Sequence, residues 1–244
     1  MTAEEPKKKN QKKETITKTK ALAPNKEIEE MFRVGLHFGH FHPKKDPRMS
    51  PFIYGIRNNV DIIDLIETQK LIEKTLEYLK EKKKEDALML FVGTKISLRD
   101  LVKELAEKVG APYVTQRWLG GTLTNFEVIK KRIDYLKEIV EKKERGELEK
   151  YTKKERLHID REIERTERKL GGLRKLERLP DLLFVVDVEK EKHAIEEAKN
   201  KNIPIVGICD TDGNPNSVNY FIPANDDAIA SLKYIFEKVE KVLS

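Results

Sequence analysis

The sequence predicts an α/β protein: a doubly wound, mainly parallel sheet with an inserted antiparallel two-helix coiled-coil arm. Three observations carry that expectation. Short, continuously apolar runs alternate with amphipathic helical periods; the alternation stops for about sixty residues after Thr115; and the interruption holds two apolar seams with steps of three and four.

Residues 1–26 hold eight Lys against three acids, no aromatic and almost no large apolar side chain, so they cannot repay the entropy of ordering. They read as a disordered basic tail. From Ile53 the chain takes up the βα rhythm. Val60 to Ile66 is apolar and β-branched, and Leu71, Leu76 and Leu79 then share one face of a Lys/Glu-rich helix. Ala87 to Val92, ending at Gly93, has the composition of a strand buried on both faces. A helix over Ser97–Val109 and a short strand over Pro112–Thr115 follow. After the interruption come a strand over Asp181–Asp187, a helix to Asn200, a strand over Pro204–Ile208, an extended piece through Phe221 and a last helix over Asn225–Val242. Strand, helix, strand in repeated order argues a parallel sheet with helices on both faces.

In the interruption Thr124 and Glu127 are spaced as a capping box, followed by Phe126, Ile129, Ile133, Leu136 and Val140 as one seam. Thr152 and Glu155 form a second box, and Ile159, Ile163, Thr166, Leu170 and Leu173 a second seam that Gly171 and Gly172 are placed to end. A turn around Gly146 joins the two. The expected division is therefore an α/β domain over 27–123 and 174–244, with the hairpin inserted at 124–173. At ~1.5 Å per residue such an arm reaches ~30 Å.

Charged residues make up 38% of the chain, equal to the hydrophobic share, so some of its length must lie outside an ordinary core. The net charge of +6 sits almost wholly in the first 26 residues. Any nucleic-acid surface on the folded part is then a local patch. The single cysteine, Cys209, excludes an internal disulfide and, lying in an apolar run, reads as a buried thiol in a reducing compartment such as the cytosol. No run is long and apolar enough to cross a membrane, and no apolar segment follows the Lys-rich start to make a secretory signal.

Outside the tail the densest cationic stretch is His37, His40, His42, Lys44, Lys45, Arg48 and Arg57, interleaved with Phe38, Phe41, Phe52 and Tyr54. Cations that neutralise phosphate beside rings that stack on bases suit RNA. Taken singly, His37 and His40 read rather as satisfied core or helix-end histidines; the cluster as a whole reads as an RNA surface. Asp187 and Asp210 each follow an apolar strand and should meet at the carboxyl end of the sheet, where with His40 they offer room for a divalent cation; turn capping is the plainer role. An enzyme reading would use the same carboxylates with Thr94 and Lys95 as a phosphate-binding turn, yet no glycine-rich nucleotide loop, nucleophile elbow or Ser/His/Asp arrangement is present. Trp118 reads as a buried anchor for the hairpin, leaving Arg117 for phosphate. A coiled-coil adaptor is the remaining alternative.

The runs GLHFGH at 35–40, VGTK at 92–95, RWLGGTLTNF at 117–126, TKKE at 152–155, LPD at 179–181 and IPANDDAI at 222–229 together resemble the family of small-subunit ribosomal protein two. The resemblance implies a flavodoxin-like domain with an inserted coiled coil, assembled on small-subunit ribosomal RNA in the cytoplasm beside neighbouring ribosomal proteins. In bacterial relatives it further implies help in anchoring small-subunit ribosomal protein one. It implies no enzyme activity, required cofactor, small-molecule substrate or membrane. The RNA-contacting residues expected are His37, His40, Lys44, Lys45, Arg48, Arg57 and Arg117 on the domain, with Lys153 and Lys154 on the arm.

Overall fold

The computed structural model describes residues 26–244, without the side chain of Glu149; residues 1–25, most of the segment expected to be a basic tail, lie outside the described residues. The described residues open with helix α1 (Lys26–Arg33), whose first residue the sequence reading placed in the tail. Strands β1 (Phe38–Phe41), β2 (Ile53–Arg57) and β3 (Val60–Ile63) then form a small antiparallel sheet in the order β1-β3-β2. The segment from Ile53 is thus a hairpin rather than the first parallel βα unit. Asn58 and Asn59, both with positive φ (50° and 63°), make the two-residue turn that favours antiparallel pairing.

Asp64 caps helix α2 (Leu65–Lys84) by accepting from the Ile66 N–H. After it come β4 (Met89–Val92), α3 (Arg99–Val109) and β5 (Tyr113–Val114), and then α4 (Phe126–Glu144) and α5 (Lys153–Leu170). The chain returns through β6 (Leu182–Val186), α6 (Lys192–Asn200), β7 (Ile205–Cys209), β8 (Tyr220–Pro223) and α7 (Ile229–Leu243). Strands β4 to β8 form one parallel sheet ordered β5-β4-β6-β7-β8. Its two faces carry separate cores. Phe91, Phe184, Val206 and Ile222 pack against α2, α3 and α7 on one side, while Leu90, Val185 and Ile205 meet α4 and α6 on the other. Every residue of β4, β6 and β7 is buried, the arrangement that their uninterrupted apolar runs predict.

Helices α4 and α5 turn back at Gly146, whose φ of 75° suits glycine. Lys143 Nζ reaches Asp160 Oδ1 at 2.7 Å, and Ile159 and Ile163 pack on the cluster holding Ile133, Leu136 and Ile139. The Thr152–Glu155 capping box is present with both of its hydrogen bonds. The Thr124–Glu127 box is not: α4 starts from Asn125 without a side-chain cap, because the Thr124 hydroxyl and N–H both donate to Glu197, 73 residues away in sequence. As expected, α5 ends at the Gly171–Gly172 pair: Leu170 is its last residue, and Gly171, with helical φ and ψ, caps it and leads into a tight turn. Gly172 is needed for closeness: a Cβ there would lie 2.3 Å from the Tyr113 carbonyl oxygen.

Candidate functional site

Four of the parallel strands deliver charge to their carboxyl ends. Lys95 follows β4, Asp187 follows β6, Asp210 and Asp212 follow β7, and Asp226 and Asp227 follow β8. Counted along the chain, the parallel strands lie in the order second, first, third, fourth, fifth, so their connections diverge between β4 and β6, where ligands of open α/β sheets usually bind. Here the space is filled by the protein's own ion pairs. Lys95 Nζ lies 3.0 Å from Asp226 Oδ1 and 3.8 Å from Asp187 Oδ2, and it also pairs with Asp227.

The small sheet adds His40 from above. Gly39 makes that approach feasible, since a Cβ there would stand 2.5 Å from the Thr211 methyl, and the His40 N–H donates to Thr211 Oγ1 at 2.8 Å. His40 Nδ1 is then 3.1 Å from Asp210 Oδ2, while Nε2 faces Asp212 and Asp227 at 3.7 and 3.5 Å. Next to it, His42 Nδ1 lies 2.7 Å from Asp61 Oδ1.

The hydrogen bond that His40 Nδ1 donates to Asp210 outweighs burial and raises the His40 pKa to about 9, which favours the imidazolium at neutral pH. Burial, reinforced by Asp187 and Asp210, pushes Asp226 up to about 8. Burial likewise raises Asp187 and Asp212. Lys95 also loses solvation, but Asp227, Asp226 and Asp187 more than offset this and hold its pKa above the usual lysine value. Carboxylates outnumber cations at this end, and burial tilts Asp226 toward its protonated form.

The phosphate-binding turn weighed at Thr94 and Lys95 is occupied internally. Glu191 Oε1 accepts from the Thr94 N–H at 2.7 Å and its hydroxyl at 2.5 Å, filling the place where a phosphate oxygen would sit. The groups that stand close enough to share an ion also differ from the trio read from sequence. Ligand atoms of His40, Asp210 and Asp226 lie within 4.8 Å of one another, whereas Asp187 accepts from the Lys190 N–H and leans on Lys95. Asp226 escapes the sequence reading because no apolar strand ends directly at it; Ala224 and Asn225 intervene after β8.

The residues picked for RNA divide by exposure. His37 is buried, with its ring stacked 4.3 Å from Phe32 and tilted against Phe38 at 4.0 Å, and burial lowers its pKa. That geometry is a packing role. Arg48 is exposed but clamps Asp46 through Nε at 2.9 Å and Nη2 at 3.0 Å. Lys44, Arg57, Arg117, Lys153 and Lys154 are exposed and Lys45 is half-buried. Among the described residues none of these six is in an ion pair. Trp118 is buried, and its Nε1 donates to Glu197 Oε1 at 2.9 Å.

Glu197, which the sequence did not single out, organises the whole Trp118–Thr124 loop. Besides Trp118 and the two Thr124 donors it accepts the N–H groups of Gly121 and Leu123 at 2.8 and 2.9 Å. Burial opposes its charge, but these donors hold the carboxyl below the ordinary glutamate value. One side chain on α6 thereby sets where α4 begins.

A parallel α/β domain whose ligand-binding end is closed by its own ion pairs, and whose unpaired cations face solvent elsewhere, is a binding scaffold. Comparison with known proteins agrees. The family model described as Ribosomal protein S2 matches residues 31–244, and the chain belongs to that family of non-enzymatic ribosomal proteins. Among curated proteins it is 42% identical over 212 residues to "Small ribosomal subunit protein uS2" of Coprothermobacter proteolyticus, covering 87% of this chain and 79% of that one. It is 43% identical over 208 residues to the protein of the same name from Salinibacter ruber, covering 85% of this chain and 65% of that one.

Proposed function

We propose that the chain is a structural constituent of the small ribosomal subunit in the cytoplasm, holding small-subunit ribosomal RNA through dispersed surface cations and meeting neighbouring ribosomal proteins through its small sheet and hairpin. The observation that carries this reading is the segregation of charge: the carboxyl end of the parallel sheet spends Lys95 and His40 on internal carboxylates, while Lys44, Lys45, Arg57, Arg117, Lys153 and Lys154 are left unpaired. Phosphate needs cations of the second kind. The strand order supports a flavodoxin-like domain, and the facing seams of α4 and α5 support a coiled-coil arm inserted into it. Exposed Phe41, Tyr54 and Ile56 on the small sheet favour a protein neighbour there, with small-subunit ribosomal protein one among those to test.

Sucrose-gradient sedimentation of lysate at low and moderate salt tests the reading. Migration with the small subunit at both salts is expected; a chain that stays at the top of both gradients removes it.

A second reading concerns His40, Asp210 and Asp226, whose ligand atoms are close enough to share one divalent cation. The mixed nitrogen and oxygen set fits zinc or manganese better than magnesium. Binding an ion there would displace protons from its ligands. Metal analysis of the chain after dialysis against Zn²⁺ should give one equivalent in the parent and none in Asp210→Asn; the same content in both would exclude this site.

A further inference from the structure

The outer face of α5 carries a line of basic side chains that neither the fold nor the site uses. Lys154, His158, Arg161, Arg165 and Arg168 follow one another at steps of four, three, four and three. At about 100° per residue the five fall within an arc of about 80° and extend over about 21 Å of helix. The apolar positions Ile159, Ile163 and Leu170 lie about 140 to 180° around from the start of the line, which therefore points away from α4. All five side chains are exposed, and none makes a hydrogen bond or ion pair among the described residues. Acids are within helical reach. Glu162 is three residues from Arg165, and Glu164 is three from Arg161 and four from Arg168, yet none of these pairs forms.

Helix α4 shows what an ordinary solvated face looks like in this molecule. On its side away from the seam, the same steps from Lys131 read Lys131, Tyr135, Glu138, Lys142 and Arg145, with an acid and a ring among the cations. Its acids are also used: Glu138 holds Lys142 and Glu141 holds Arg145. The two helices share one hairpin and one kind of composition, so a single-sign line on α5 is not a by-product of a charge-rich sequence.

We infer that the outer face of α5 is a phosphate-tracking surface, on which Lys154, His158, Arg161, Arg165 and Arg168 contact successive backbone phosphates of ribosomal RNA. This rests on the ribosomal reading above and extends it beyond Lys153 and Lys154 along the length of the helix. The single sign fits a polyanion, and three of the five are Arg, whose planar fork takes two phosphate oxygens at once. Spacing of about 4.5 to 6 Å between these side chains along the axis keeps every contact on one strand of backbone. Beside the first turns of the line a groove of about 730 Å³ is walled by Tyr151, Leu157 and His158, surface that a ribose or base edge can cover. An acidic protein is the competing occupant, and the test separates the two.

Three full-length proteins are compared: the parent, Arg161→Gln/Arg165→Gln/Arg168→Gln, and a control with equal charge removed from α4, Lys131→Gln/Lys137→Gln/Lys142→Gln. Gln keeps helix propensity, and far-ultraviolet circular dichroism establishes that all three are folded. Each is titrated onto a small-subunit ribosomal RNA transcript between about 50 and 200 mM KCl, and each is sedimented with assembled subunits. The α5 variant is expected to lose about three units of salt slope and the control less than one. An α5 variant with the parental slope overturns the inference while parental binding still upholds the ribosomal reading. A variant that keeps the slope but leaves the subunit puts a protein on this face and also overturns it. A parent that neither binds the transcript nor sediments with subunits removes both readings.

Discussion

The carboxyl end of the parallel sheet and the outer face of α5 hold similar numbers of charged groups and treat them in opposite ways. At the sheet end Asp187, Asp210 and Asp226 are buried, and Lys95 and His40 are drawn in to meet them. On α5 the cations are exposed and left alone, even with Glu162 and Glu164 at helical reach. Buried charge must be paired or protonated, so its partners are fixed by the fold and little capacity remains for anything outside. Exposed charge costs the fold almost nothing and remains available. Substitutions in the two regions should therefore separate stability from binding.

The largest stability effect is expected at Lys95. Lys95→Met leaves Asp187, Asp226 and Asp227 facing one another without their shared cation. Breaking a buried pair costs about 3–5 kcal/mol, and partial exposure of Lys95 brings the expectation to about 3 kcal/mol. That corresponds to a fall in Tm of roughly 6–12 °C by calorimetry. A Tm within a degree of the parent would mean that the carboxylates simply take up protons and that the pairing has no structural weight.

Glu197→Gln should cost about 2 kcal/mol. An amide turns donors toward the N–H groups of Leu123 and Thr124 that the carboxylate now accepts. Because the folded pKa of Glu197 lies below its unfolded value, its contribution is complete above about pH 4.3 and is lost as pH falls through the folded value. Acid titration of stability should accordingly show a shallower decline for the variant than for the parent, and equal slopes would remove Glu197 from the acid limb. Gly39→Ala comes next, at about 1–2 kcal/mol, since the new methyl collides with Thr211 and with the Asp61 carbonyl oxygen that hold β1 over the sheet.

How far the sequence could be read depends on where the determining partner lies. Strands β4, β6 and β7 were legible because burial on both faces forces every position to be apolar, and α4 and α5 because a seam repeats within one segment. The Thr152 cap was legible because its partner Glu155 is three residues away. Thr124 offered the same local pattern with Glu127, but Glu197 supplied a better acceptor across 73 residues, and nothing near Thr124 announces it. The β2–β3 hairpin was missed for a different reason: Asn58-Asn59 is a weaker turn signal than Asn-Gly, although both residues adopt the left-handed conformation. Of the site, Asp210 and His40 were anticipated together, while Asp226 depends on the loop after β8 folding back over the sheet, held by the Asn225 N–H on the Leu36 carbonyl.

The smallest stability effect and the clearest binding effect should coincide at Arg161. Its guanidinium touches no acid within the described residues and projects from the side of α5 opposite Ile159 and Ile163, so Arg161→Gln should change stability by no more than about 0.5 kcal/mol. Affinity for small-subunit ribosomal RNA should fall at every site on the transcript alike, with the salt slope lower by about one unit, because a phosphate contact carries no sequence information. Lys95→Met, measured in parallel at a temperature where it is folded, should leave that slope unchanged. If the slope instead falls for Lys95→Met and holds for Arg161→Gln, charge paired inside the sheet end would be what RNA reads, and the division between the two regions would be reversed.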